Sequence, residues 1–239
     1  MCGSKVLLAI DTCGPSGSVA LGRLPGRDLE ILGQIELAGR TYSTTLVAAV
    51  GELLRSAGTE LRELGGIVVV SGPGSFTGVR VGLSAVKGLA EGAEIPVVAL
   101  SRLEVLSRKS GVPSSALDAH RGEVFLRLER VGANPTEILA GPTELAAIHP
   151  APVRVAVCDD GAAAVLAAAW PGAQLIVVPA PVAVDALRLG EARLTAGVFA
   201  DLALLDGHYL RRSDAEIFGA KIFGTELEGK PAVAASSHS

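Results

Sequence analysis

Two segments of the chain, AIDTCGPSGSVAL at 9–21 and ALDAHRGEVFL at 116–126, follow one plan. Each runs from an apolar pair into an aspartate, a polar turn, a glycine, one further residue and then Val-x-Leu. The second turn is two residues shorter. Short apolar runs broken by Gly, Pro, Asp and Ser are the signature of strand–turn–strand pairs. The same opening met twice, about a hundred residues apart, implies one supersecondary unit used twice, with Asp11 and Asp118 in equivalent turns.

The first unit is readable along its length. KVLLAI (5–10) predicts a buried strand, SVALGRL (18–24) its hairpin partner, and DLEILGQIEL (28–37) a third strand. A helix follows over 42–57, capped by Ser43 or Thr44, with Leu46, Val47, Val50, Leu53 and Leu54 apolar and Gly58 as a stop. GGIVVVSG (65–72) and IPVVAL (95–100) predict two further strands. The order βββαβαβ points to a mixed sheet covered by helices. The second half predicts strands at 153–157 and 174–178, a helix at 160–169 and a helical stretch at 183–206. The residues from 224 on are small, polar and without pattern, and a disordered tail is expected over 224–239.

VVVSGPGSFTGVRVGLSAVKGLAEG (68–92) joins strand to helix through a glycine-rich turn. Such a corner can cradle phosphate at a helix N-terminus. This one lacks the Gly-Lys-Ser/Thr ending of a P-loop and the spacing of a dinucleotide fingerprint. Gly78, Gly82, Ala85 and Gly92 fall on one side of the helix, where an internal helix or a second chain can approach closely. Asp11 and Thr12 are the candidate phosphate or magnesium residues of a degenerate nucleotide site. The bland alternative is an Asx turn.

Composition narrows the chemistry. A net charge of −4 and 3% aromatic residues argue against free-standing nucleic-acid binding, although Arg211 and Arg212 could touch RNA within an assembly. Three scattered cysteines fit neither a zinc cluster nor a disulfide framework, and a reducing cytoplasm is expected. No two of the four histidines stand four apart, so no helical metal pair is present. No Ser-His-Asp set can be assigned. No apolar run is long enough for a membrane span.

LLAIDTCGPSGSVAL, GRTYSTTLVAAVGELL, the 68–92 stretch, ALDAHRGEVFL and HYLRRSDAE occur in the order found in the TsaB (YeaZ) family, and the chain resembles that family over about 5–216. The resemblance implies a duplicated actin-like fold of two lobes, in the superfamily of sugar kinases and heat-shock chaperones. Its first lobe would be 1–100 and its second, smaller one 101–194, with a C-terminal helix near 195–213 packing back. It further implies a non-catalytic scaffold for forming N6-threonylcarbamoyladenosine in tRNAs that read codons beginning with A. The partners implied are the catalytic paralogue TsaD, the ATPase TsaE and, without TsaD, a second copy of the chain. Contact with tRNA would come only through the complex. No cofactor of its own is implied, and ATP or ADP would sit at the junction with the catalytic subunit. The family's partner surface maps onto Thr45, Leu46, Ala49, Val50 and Leu53 of one helix and Arg80, Gly82, Ala85, Val86 and Leu89 of the next. Cys13 replaces the family's usual serine, and Tyr42 its common histidine. The competing reading is a stand-alone ATPase or phosphotransferase with Asp11 and Asp118 facing each other across a cleft.

Overall fold

The computed structural model of the protein describes residues 5–211 apart from Arg27, Arg40 and Val131. The expected tail at 224–239 lies outside the described residues. The first half runs β1 (Lys5–Asp11), β2 (Gly17–Leu24), β3 (Glu30–Leu37), α1 (Tyr42–Ser56), β4 (Leu64–Val70), α2 (Phe76–Ala93), β5 (Val97–Leu100) and α3 (Arg102–Ser110). A single 3-10 turn precedes β4. The second half repeats the series as β6 (Ser114–Asp118), β7 (Val124–Leu128), β8 (Thr136–Ala140), α4 (Pro142–Ala147), β9 (Arg154–Val157), α5 (Asp160–Ala169), β10 (Gln174–Val177) and α6 (Ala183–Thr195).

The two sheets have one topology. Their orders are β3-β2-β1-β4-β5 and β8-β7-β6-β9-β10. In each, the hairpin strands pair antiparallel, and the first strand pairs parallel with the fourth. β1 lies between β2 and β4 and is covered on both faces. Its apolar run is continuous for that reason, whereas the edge strand β3 mixes polar and apolar residues. This is the duplicated actin-like α/β fold.

Alternating residues divide each sheet between two layers. In the first sheet Val68 and Gly66 meet Gly190 and Leu194 of α6, and the intervening Ile67 and Val69 face the layer of α1 and α2. In the second, Ala116, Val155 and Val157 pack with Ala162 and Leu166 of α5, while Leu117 and Ala156 pack with Leu103 and Leu106 of α3. The covering helices are thus exchanged. α3 leaves the first sheet to cover the second, and α6 leaves the second to cover the first. The two touch through Lys109–Asp185 at 2.8 Å and Arg193–Glu104 at 2.5 Å.

Three expectations need correction. The helix expected over 183–206 ends at Thr195, because Gly197 takes a left-handed φ of 72°. Val198 and Gly197 then donate to the carbonyls of Arg193 and Leu194, which closes the helix in a Schellman motif. The part that packs back on the first lobe as a helix is therefore 183–195, not 195–213. Residues 196–211 follow the same lobe without helix: Ala200 N donates to Val97 O, Leu205 is buried, and His208 N donates to Ser71 O. Lastly, α1 begins at Tyr42 with Thr41 as its cap residue, and Thr44 and Thr45 turn their hydroxyls back onto the Thr41 carbonyl.

Candidate functional site: two turns, a cleft and an outward helix pair

The β1–β2 turn is closed. Asp11 Oδ1 accepts from Cys13 N at 2.8 Å, an Asx turn, and Oδ2 lies 3.6 Å from Arg102 Nε. Asp11 and Thr12 are 2% and 1% exposed. Thr12 Oγ1 donates to Gly78 O, so both candidate nucleotide residues spend their polar atoms inside the chain. Burial pulls the Arg102 guanidinium down, but Asp11 together with Cys13, Cys158 and Tyr42 more than offsets it, and the arginine stays charged. Burial, then Asp11, pushes the Cys13 thiol well above its usual value and raises the Tyr42 phenol. Tyr42 donates its hydroxyl to Gly14 O. Cys13 is held with its sulfur 3.2 Å from Val70 O and offers no ready thiolate.

The β6–β7 turn repeats this geometry in the open. Asp118 Oδ1 accepts from His120 N at 2.7 Å, and Oδ2 lies 2.9 Å from His120 Nδ1. Asp159 caps α5 through Ala162 N and accepts from Asp118 N. Between the turns lies a cleft of about 640 Å³, lined by Tyr42, Arg102, Asp118, His120, Cys158 and Asp159 among others. Asp118 borders it. Asp11 is shut away from it, so the two aspartates do not face each other there. Among the described residues no group of three or more His, Cys, Asp or Glu is placed to hold a metal ion. No helix among them is long and apolar enough to cross a membrane.

The residues expected to meet a partner divide sharply. Leu46, Ala49, Val50, Leu53, Gly82 and Val86 are buried within the chain, Thr45, Ala85 and Leu89 are half-buried, and Arg80 is exposed. The glycines separate in the same way. A Cβ at Gly78 or Gly82 would collide with Thr12, which gives these two an internal reason. At Gly51, Gly88 and Gly92 a Cβ would meet open space. The outward positions of the pair therefore include Val47, Ala48 and half-buried Gly51 of α1 with Ser84, Gly88 and Gly92 of α2, alongside the exposed charges Glu52, Arg55, Arg80 and Glu91. Val47 is 61% exposed.

Two constellations escaped the sequence reading. Glu137 on β8 accepts from Ser101 Oγ at 2.6 Å and Arg127 Nη1 at 2.8 Å, and lies 2.8 Å from His208 Nε2. Burial raises its carboxyl, but the bonds from His208, Ser101 and Arg127 outweigh that and hold it below the usual range. Arg80 lies 3.6 Å over the Phe76 ring and donates Nε to the Tyr209 hydroxyl at 3.3 Å. Residues 208 and 209 of the HYLR motif thereby touch both lobes.

Residues 32–143 match a family model described as "TsaD: tRNA N6-adenosine threonylcarbamoyltransferase". The tRNA threonylcarbamoyladenosine biosynthesis protein TsaB of Escherichia coli is 37% identical over 125 residues, 50% of this chain and 52% of that protein. The chain thus matches about half the length of the curated relatives that bear this name. An uncharacterized protein of Mycobacterium tuberculosis is 31% identical over 216 residues, 89% of this chain and 94% of its own. Among solved structures, YeaZ from Pseudomonas aeruginosa superposes with a TM-score of 0.66 at 26% identity, covering 86% of this chain and 100% of that one. A common two-lobed fold, kinship along nearly the whole described length and a specific match through the glycine-rich corner lead to one assignment: this chain belongs to the TsaB (YeaZ) family.

Proposed function

We propose that the chain takes part in making threonylcarbamoyladenosine in tRNA, as a non-catalytic scaffold that docks a TsaD-type paralogue through the outward face of α1 and α2. The observation that carries this reading is the composition of that face. Val47, Ala48, Gly51, Ser84 and Gly88 leave a short-side-chained patch, flanked by Glu52, Arg55 and Glu91, on which another helix pair can lie close. Half-buried Ala85 and Leu89 form its floor, and Arg80 stands at its edge. The buried residues of the family's partner surface act from beneath, by fixing where these helices sit. Asp11 and Thr12 are committed to internal hydrogen bonds, which favours a scaffold over a stand-alone ATPase or phosphotransferase. In this reading TsaE and tRNA join through the complex, ATP or ADP is held at the junction with the paralogue, and the chain pairs with itself when TsaD is absent.

The test is size-exclusion chromatography with light scattering, using TsaD of the same organism. Wild type should form a one-to-one complex, and Val47→Glu/Gly88→Glu should stay apart from TsaD with an unchanged melting temperature. Equal binding by the double variant would remove the outward face from the docking surface. ATP hydrolysis by the chain alone that disappears in Asp11→Asn would instead establish the enzyme reading.

A further inference from the structure

Arg102 stands in the wall of the cleft between the two turns, and its guanidinium is under-used. The side chain is 7% exposed, and Nε is buried without a hydrogen-bond partner among the described residues. The ion pair to Asp11, at 3.6 Å, offsets charge but is too long for a hydrogen bond. Nη2 lies along Gly14, where a Cβ would stand 2.5 Å from it, so glycine leaves the fork room at the cleft wall. A buried guanidinium with donors to spare is costly until an acceptor completes it.

The rest of the lining says what that acceptor brings with it. Among the described residues Arg102 is the one lysine or arginine on the cleft, and Asp11 already offsets part of its charge. On the side of the second turn stand Asp118 and Asp159. Cys158 lies within reach of both walls: after burial, which raises its thiol most, Arg102 pulls the thiol down and Asp159 pushes it up. A nucleotide or phosphate ester would set two or more negative charges between one half-neutralised arginine and two carboxylates. A single carboxylate with an ammonium beside it meets each wall with the opposite charge. Pro15, Leu117 and Phe125 give the space an apolar lining, and its volume of about 640 Å³ leaves room for a sizeable side chain.

We propose that the cleft binds a small zwitterion, an α-amino acid with an apolar side chain. Its carboxylate takes up the free donors of Arg102, its ammonium lies against Asp118 and Asp159, and its side chain rests on Leu117 and Phe125. Contacts come from both turns, so occupancy braces the lobes against each other. Nothing in this assignment depends on what docks on α1 and α2.

An amide NMR titration of the full chain with L-phenylalanine, and in parallel with L-leucine, tests this. Shifts should gather at Gly14, Gly74, Asp118 and Cys158 and saturate with a Kd on the order of a millimolar. The analogue 3-phenylpropionate lacks the ammonium and phenethylamine lacks the carboxylate, and each should bind on the order of tenfold more weakly than phenylalanine. Asp118→Asn keeps an oxygen for His120 N and should erase the preference for phenylalanine over 3-phenylpropionate. Arg102→Lys keeps a charge beside Asp11 but loses the fork, and should weaken both compounds alike. No shift with either amino acid at about 10 mM overturns the proposal. So do equal affinities for phenylalanine and its two analogues, or a preference that survives Asp118→Asn. Tighter binding of inorganic phosphate overturns it as well, and leaves a plain anion site.

Discussion

At the first hairpin turn Asp11 accepts a hydrogen bond from the backbone two residues on, and at the second Asp118 does the same. A helix N-terminus presses on each turn: Gly78 of α2 reaches the Thr12 carbonyl, and Gly161 of α5 reaches the Asp118 carboxyl. The backbone plan is one, and the surroundings are opposite. Asp11 is sealed and faces the nearly buried Arg102, whereas the Asp118 side chain is 27% exposed and pairs with His120, itself 83% exposed. Arg102 is the first residue of α3, the helix that covers the other sheet. One copy of a duplicated turn has become a joint between lobes, and the other has stayed on the rim of a cleft. Duplication supplied two candidate acidic sites, and burial decided which of them still meets solvent.

The contrast is easiest to break at the ion pair. Arg102→Met should cost about 3–5 kcal/mol in urea unfolding, because Asp11 is left as an uncompensated buried charge. His120→Ala in the second turn should stay within about 0.5 kcal/mol. Similar losses for the two would mean that the turns differ in appearance only. The glycines give a smaller effect. Gly82→Ala forces Thr12 aside and should cost about 1–2 kcal/mol net, after the helix-propensity gain of about 1 kcal/mol. Gly161→Ala presses on the Asp118 side chain, which must give up its bond from His120 N in a partly exposed turn, and should cost less, on the order of 1 kcal/mol.

Glu137 sharpens the same comparison at the seam between the lobes. Its carboxyl is held below the ordinary 4.5, so its contribution is present above the unfolded-state pKa and disappears as pH falls through the folded one. Wild-type stability should therefore drop more steeply than that of Glu137→Gln as pH is lowered from about 5, as read from urea midpoints. Thiol reactivity gives the mildest effect. Burial, offset in part by Arg102, pushes Cys158 up to about 11. In a Cys2→Ser background, native alkylation should climb toward that pH through Cys158, while fully buried Cys13 reacts only on unfolding.

The repeat was legible because a strand–turn–strand opening writes itself in consecutive residues, and Asp11 and Asp118 were placed in equivalent turns from that pattern. The partner that distinguishes those turns was not legible. Arg102 is separated from Asp11 by most of a lobe, and no local periodicity announces a pair at that distance. The helix carrying it left a trace, since Ser101 followed by Glu104 fits the capping-box spacing, and Ser101 does cap α3 through Leu103 N. Leu103 and Leu106 give it a short apolar face, but Arg102, Glu104 and Ser107 are buried as well, and that mixture hides the stripe. Glycine periodicity on α2 was visible, but Gly82 and Gly88 look identical as letters. Only the fold shows that one lies on Thr12 and the other is open.

The exchanged helices carry a cost that arises before the protein is finished. All five strands of the first sheet have been synthesised once Leu100 is made, yet the face holding Val68 waits for α6, which starts at Ala183. At about 5–20 residues per second, that apolar face stays bare for roughly ten seconds during every round of synthesis. The nascent first lobe is thus a natural client for holding chaperones. A stop codon anywhere between 101 and 183 should release a fragment that aggregates, although every strand of its first sheet is present.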